Sequence, residues 1–268
     1  MYVAGIDIGS IYSKAIILKN NQVAASLVKR TGGEIKAASQ RIMGEVLAPL
    51  GLGIEDLKSV VATGYGRISV SFAEKQVTEI SCFGRGVGHL FPDVRTVIDI
   101  GGQDSKGIKI DEYGSVNDFA MNDKCAAGTG RFLEVMANAL EVKLEDMGPL
   151  ALQSESPEEI GITCTVFAES QVISLVAEGR PKVDIIAGIH QAIAERIFSM
   201  VKMIRVEERI AITGGGARNI GLVWELEKKL GTKVVVPPEP QLVGAYGAAL
   251  FALELARKKA GEEDKDGN

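Results

Sequence analysis

The sequence has no apolar run approaching the roughly 20 residues that span a bilayer, which argues against a helical membrane protein. Aromatics make up only 5%, no basic stripe is present and the net charge is −5. A nucleic acid is therefore not expected as the main partner. Cysteine is scarce: Cys82, Cys125 and Cys164 are an odd number at long spacings, a poor disulfide framework. In a cytosolic chain such residues act as metal ligands, reactive thiols or buried apolar groups. There are only two histidines, and His190 follows the apolar face of a long helical stretch, so neither His89 nor His190 is expected to be a ligand. The amino terminus, MYVAGIDIG, enters a strand pattern with no cationic region or cleavage site, which makes the cytoplasm the expected location.

What is present is 46% hydrophobic and 24% charged residues over 268 positions, enough for one large domain or two lobes with real cores. Residues 3–8 read as a strand, a Gly9-Ser10 turn follows, and 14–19 and 23–28 read as two further strands. Helices are expected over about 35–50, 69–79 and 81–90, with a short buried strand at 60–63. Near Thr96 the pattern restarts. IDIGSIYSKAIIL (6–18) aligns with IDIGGQDSKGIKI (98–110), matching Asp7 with Asp99, Gly9 with Gly101, Ser13 with Ser105 and Lys14 with Lys106. Identities at strand, turn and returning strand together indicate an internal duplication. Glycine in a tight turn lets backbone N–H groups approach a phosphate. An Asp at each strand end can hold Mg²⁺, which bridges phosphate oxygens.

In NDKCAAGTGRFLE (122–134), Cys125 precedes a Gly128-Thr129-Gly130 turn and an apolar-periodic helix reaching about Val142. A thiolate-capable ligand and a small-residue, phosphate-suited loop thus share one helix start. Cys164 stands ahead of a second such helix that stops at Gly179. A long helix is expected over 183–204, a strand over 209–213, the triple glycine Gly214-Gly215-Gly216, and a helix from Ala217 to Leu230. Strand, triple glycine and helix in that order suit a nucleotide packed against backbone. After a strand at 233–236 and a proline-rich loop, Gln241 leads into a final helix to about Lys259. Its start, Gly244, Ala245, Gly247, Ala248 and Ala249, is bare enough for another backbone to lie against it. Cys82 reads as core, and Lys106 as a solvated strand residue as readily as a ligand.

Together these pieces resemble the acetate-and-sugar-kinase, Hsp70 and actin superfamily. Within it they are similar to the activators of 2-hydroxyacyl-CoA dehydratases, a family that includes the ATPase subunits of benzoyl-CoA reductase. The resemblance rests on ATGYGR (62–67), DIGGQDSK (99–106), MNDKCAAGTGRFLEVMA (121–137), TCTVFAESQVIS (163–174) and DIIAGIH (184–190), and covers nearly the whole chain. It implies an α/β fold of two ribonuclease-H-like lobes with an ATP cleft between them. Lobe I would span 1–95 joined by the terminal helix 242–259, lobe II 96–241, and 260–268 would be a disordered tail. It implies phosphate contacts in Gly9, Ser10, Ile11, Tyr12, Ser13 and Lys14, and in Gly101, Gly102, Gln103 and Asp104. Further nucleotide contacts would come from Gly128, Thr129 and Gly130, from Gly214, Gly215, Gly216 and Ala217, and from Gln241 and Gly244. Asp7 and Asp99 would serve Mg²⁺ and water positioning, and Gln103 could orient the attacking water. No isolated general base stands out, as expected where phosphoryl transfer is dominated by positioning and charge.

The resemblance also implies a homodimer with one [4Fe–4S] cluster between subunits, held by Cys125 and Cys164. ATP hydrolysis would drive a low-potential electron from it to a partner dehydratase, reductase or double-cubane cluster protein, with ferredoxin or flavodoxin as donor. Four thiolates are needed and one chain has three cysteines, so two copies supplying two each would complete the site. A four-cysteine Zn²⁺ site has the same geometry and remains a rival. So do a small-molecule kinase and a nucleotide-gated sensor without redox chemistry. Three departures from the family pattern are Phe83 for His, Gln171 for Glu, and Gly161-Ile162 for Ser-Ser, and they bear on the choice of partner.

Overall fold

The structure, a computed structural model, describes residues 1–161, 164–207 and 209–266, with side chains to residue 261. The chain divides into two compact units. The first comprises Met1–Pro92, Asp111–Val116 and the chain from Gln241 onward; the second comprises Asp93–Ile110 and Asn117–Pro240.

The first unit is built on β1 (Tyr2–Ile8), β2 (Tyr12–Lys19), β3 (Gln22–Arg30), β4 (Leu57–Thr63) and β5 (Lys75–Gln76), in the order β3-β2-β1-β4-β5. β1 is antiparallel to β2 and parallel to β4. Its apolar residues run almost without a break because both faces are covered. Ala4, Ile6 and Ile8 pack with Ile42, Met43, Val46 and Leu47 of α1 (Ile35–Leu47). Val3 shares the opposite core with the alanines of α8 (Val243–Asp266). α2 (Glu79–Leu90) lies behind, its backbone pressed against the glycines of α8.

The second unit repeats the plan with β6 (Thr96–Ile100), β7 (Ser105–Ile110), β8 (Val116–Asn122), β9 (Ile210–Thr213) and β10 (Val234–Val235), in the order β10-β9-β6-β7-β8. β6 is antiparallel to β7 and parallel to β9, as β1 is to β2 and β4. Its core joins Ile98 and Ile100 to α3 (Gly130–Ala139), α4 (Met147–Ala151), α5 (Thr165–Ala177), α6 (Lys182–Val201) and α7 (Ile220–Leu230).

Several expectations need correction. No α-helix occupies 69–79; a single 3₁₀ turn at Arg67–Ser69 and the edge strand β5 stand there. The segment between β4 and α2 is fixed by backbone bonds to β4, with Glu74 N–H donating to Val60 O and Val77 N–H to Ala62 O. α7 starts at Ile220, after a 3₁₀ turn over Gly215–Arg218. α8 continues to Asp266, past the residue at which a disordered tail was expected, and residues 267–268 lie outside the described residues. No helix among the described residues is long and apolar enough to cross a membrane.

Candidate functional site

The duplicated hairpins agree in register. Asp7 pairs with Lys14 and Ile8 with Ser13 across β1–β2; Asp99 pairs with Lys106 and Ile100 with Ser105 across β6–β7. Each turn is closed by the same bond, Gly9 N–H to Tyr12 O at 3.1 Å and Gly101 N–H to Asp104 O at 2.9 Å. The repeat extends into the parallel neighbour of the first strand, β4 beside β1 and β9 beside β6. Asp7 sits beside Thr63 and Asp99 beside Thr213. The next residues, Gly64 (φ +87°) and Gly214 (φ +81°), occupy left-handed backbone that favours glycine. A Cβ at Gly64 would strike Asp7 Oδ1, and one at Gly214 would lie 2.7 Å from Asp99 Oδ1. This half of the site went unrecognised in the sequence as part of the repeat. The signal was there, since Thr-Gly-x-Gly recurs at 63–66 and 213–216.

The two carboxylates are nearly buried, Asp7 at 4% and Asp99 at 2% exposure. Lys14 Nζ donates to Asp7 Oδ2 at 2.9 Å. Gly244, at the start of α8, also approaches this carboxylate: a Cβ there would lie 3.0 Å from Asp7 Oδ2. In the second hairpin, Lys106 Nζ lies 2.8 Å from Asp104 Oδ2 and 3.6 Å from Asp99 Oδ2, and Thr213 Oγ1 donates to Asp99 Oδ1 at 3.1 Å. Lys106 is 1% exposed and is a buried counter-charge, which replaces the solvated alternative. Ser13 is also buried. Its hydroxyl lies 3.0 Å from that of Thr31, which donates to Gly9 O at 2.8 Å and braces the turn. Ser10 and Gln103 are exposed at the turn tips; Ile11, Tyr12, Gly101, Gly102 and Asp104 are half-buried.

The Cys125 loop is tied to the second hairpin. Gly130 N–H donates to Gly101 O at 2.9 Å and Arg131 N–H to Gly102 O at 2.8 Å. These amides at the start of α3 are therefore already engaged. Cys125 stands five positions before Gly130, in the loop rather than on the helix. Asn122 Nδ2 anchors that loop by donating to Cys125 O at 2.9 Å and Ala127 O at 3.0 Å. Thr129, fully buried, spends its hydroxyl on Ala126 O. Cys164 is the N-cap of α5, a position that a side-chain oxygen would otherwise fill. Gln171 of α5 accepts from Gly161 N–H at 3.0 Å and donates to Glu159 O at 2.8 Å, clasping the segment that leads to Cys164. A glutamate could accept but not donate the second bond, so an amide side chain suits this backbone. Ile162 and Thr163 lie outside the described residues.

Cys82 differs from the other two cysteines. It is fully buried on α2 and burial pushes its thiol up to about 12, far from the thiolate form that a metal requires. Cys125 and Cys164 are half-buried. Among the described residues no three His, Cys, Asp or Glu side chains gather as a metal site. Two half-buried thiols per chain would suit a group completed by a second copy.

The Thr213–Asn219 segment is held at both ends. Gly214 N–H donates to Pro240 O at 2.9 Å, and Asn219, N-cap of α7, accepts from Leu222 N–H at 3.0 Å. Gly215 is exposed while Gly216 and Ala217 are buried, and Gln241 is half-buried just before α8.

Two five-stranded sheets of equal order, each opening on an Asp–Gly turn with a cross-strand lysine, define an ATPase fold of the actin, Hsp70 and sugar-kinase class. Residues 4–252 match the BadF/BadG/BcrA/BcrD ATPase family, and the chain belongs to it. The activator of lactoyl-CoA dehydratase from Anaerotignum propionicum is 48% identical over 261 residues, covering 97% of this chain and all of its own. The crystal structure of component A of the (R)-2-hydroxyglutaryl-CoA dehydratase of Acidaminococcus fermentans superposes with a TM-score of 0.92 at 45% identity, covering 96% and 99%. The activator of the 2-hydroxyisocaproyl-CoA dehydratase of Clostridium difficile, solved with bound ADPNP, gives 0.93 at 46%, covering 98% of each chain.

Proposed function

We propose that this ATPase is the activator of a 2-hydroxyacyl-CoA dehydratase, delivering single low-potential electrons to that enzyme as a homodimer around one [4Fe–4S] cluster. Cys125 and Cys164 of each copy would hold the cluster. It would supply a one-electron carrier whose potential responds to charge and hydrogen bonds around it. Asp7 and Asp99 would hold Mg²⁺, which neutralises phosphate charge, and Gln103 would orient the attacking water. Ser10, Lys14 and the backbone of Gly9, Ile11, Tyr12, Gly101, Gly102 and Asp104 would bind phosphate. Gly214–Ala217, Gln241 and Gly244 would seat the nucleoside. Ferredoxin or flavodoxin would be the donor, and the near-half identity to dehydratase activators supports a dehydratase as the acceptor.

One observation carries this reading. The Gly101 and Gly102 carbonyls of the phosphate hairpin accept the first amides of α3, so the phosphate loop and the Gly128–Gly130 turn after Cys125 are one hydrogen-bonded piece. A change at the phosphate can thereby displace the loop that carries Cys125. The test is iron and sulfide analysis with EPR of the reduced, anaerobically purified protein. About four irons per dimer are expected from a single such cluster, and Cys125→Ser should lose them. Iron-free protein after careful reconstitution would overturn the redox reading.

A further inference from the structure

The stretch Asp184–His190 of α6 belongs neither to a hairpin nor to a cysteine loop, yet it touches both the Gly214–Asn219 segment and the approach to Cys164. His190 is fully buried. Its Nδ1 lies 2.7 Å from Ile186 O, one turn back on the same helix. Its Nε2 reaches off the helix to Asn219 Oδ1 at 3.0 Å, the oxygen that also caps α7. A neutral ring carries one N–H, and in the tautomer that places it on Nε2 the ring bolts α6 to the last residue of the Gly214–Asn219 segment. Burying an imidazole costs desolvation that a leucine would avoid, and burial holds its pKa below the usual value. Packing alone does not account for a histidine here.

The same helix backs both cysteine segments. Asp184 Oδ1 accepts from Ser154 Oγ at 2.6 Å, and Asp184 O accepts from Glu158 N–H at 3.0 Å. A Cβ on Gly188 would overlap Glu158 O, so residues 154–160, the approach to Cys164, lie directly on the α6 backbone. Two turns further on, the Arg196 side chain runs along the Gly128 turn, its Cγ 3.4 Å from where a Cβ on Gly128 would stand. A 20-residue helix moves as a stiff rod about 30 Å long.

We propose that His190 is a positioning residue for the nucleotide seat, and that α6 carries the state of that seat to both cysteine segments. The proposal rests on the nucleotide reading of Gly214–Asn219. The test uses the full-length protein as purified anaerobically, with and without a non-hydrolysable ATP analogue, reading analogue affinity and amide hydrogen exchange. In the wild type, binding should slow exchange at 214–219 and also at 154–160. His190→Leu should weaken analogue binding roughly tenfold, the value of one hydrogen bond, and abolish the protection at 154–160 while protection at 9–14 persists. His190→Gln, which keeps a donor, should recover part of both. Should His190→Leu fail to fold, Asn219→Ser decides: it keeps a capping oxygen for Leu222, is too short to reach His190, and should lose the 154–160 protection. Wild-type affinity with intact protection in either variant overturns the proposal. A wild type that binds the analogue yet shows no protection at 154–160 also overturns it. A wild type that binds no analogue overturns the nucleotide reading itself.

Discussion

The Lys106 ammonium sits between two carboxylates, Asp104 at 2.8 Å and Asp99 at 3.6 Å, with almost no access to water. Its counterpart Lys14 serves one carboxylate and is partly exposed. A buried ion pair adds little net stability over an apolar substitute, but removing one partner strands the other charge. Lys106→Met should therefore cost about 3–5 kcal/mol of unfolding free energy, read as a fall in denaturant midpoint. The second mutation in Lys106→Met/Asp99→Asn should cost less than it does alone, because the stranded charge is gone. Strictly additive losses would show that the pair is not coupled. Strand alternation left Lys106 open because it cannot reveal that both faces of β7 are covered. Asp7, Gly9, Asp99 and Gly101 were legible because a turn that needs glycine and a strand-end carboxylate form a rare combination.

Helix α8 was legible as an element and in part as a contact, because its glycines and alanines announce a close neighbour. The neighbour itself was not legible, since nothing in the sequence says that α2 supplies it. The distinction can be measured with two substitutions of the same kind. Ala in place of Gly raises helix propensity by about 1 kcal/mol. In α1, nothing lies within 4 Å of a Cβ on Gly44, so Gly44→Ala should stabilise by about that amount. In α8, a Cβ on Gly247 would overlap Cys82 O, and backbone cannot rotate away as a side chain can. Overpacking costs of about 1–3 kcal/mol outweigh the propensity gain, so Gly247→Ala should lower the thermal midpoint while Gly44→Ala raises it. The same two signs would not be expected if α2 and α8 were loosely packed. The missed stretch at 69–79 has the opposite cause: its apolar spacing suits a helix, but β4 captures its amides at Glu74 and Val77.

At the scale of the molecule, the duplication explains why one chain of modest length carries two equivalent phosphate hairpins, and why its Asp-Gly-Lys half was readable. The Thr-Gly-x-Gly half was obscured because, among the described residues, the chain holds one α-helix between β2 and β4 and four between β7 and β9. Those extra helices include α5, which buries only Ala168 and Val172 and leaves Val166, Phe167 and Ile173 at 65%, 72% and 53% exposure, the first two in the turn that follows Cys164. Exposed apolar side chains on one helix would suit a face that a second copy covers. If two copies meet there around shared thiolates, dimer contact and iron content must rise and fall together. Phe167→Glu places a charge in that contact without touching a cysteine or either hairpin. It should shift the protein to a monomer in sedimentation and lower iron per chain, while analogue affinity stays within about threefold of wild type, under 1 kcal/mol. A Phe167→Glu protein that sediments as a dimer with full iron would place the shared site on another face.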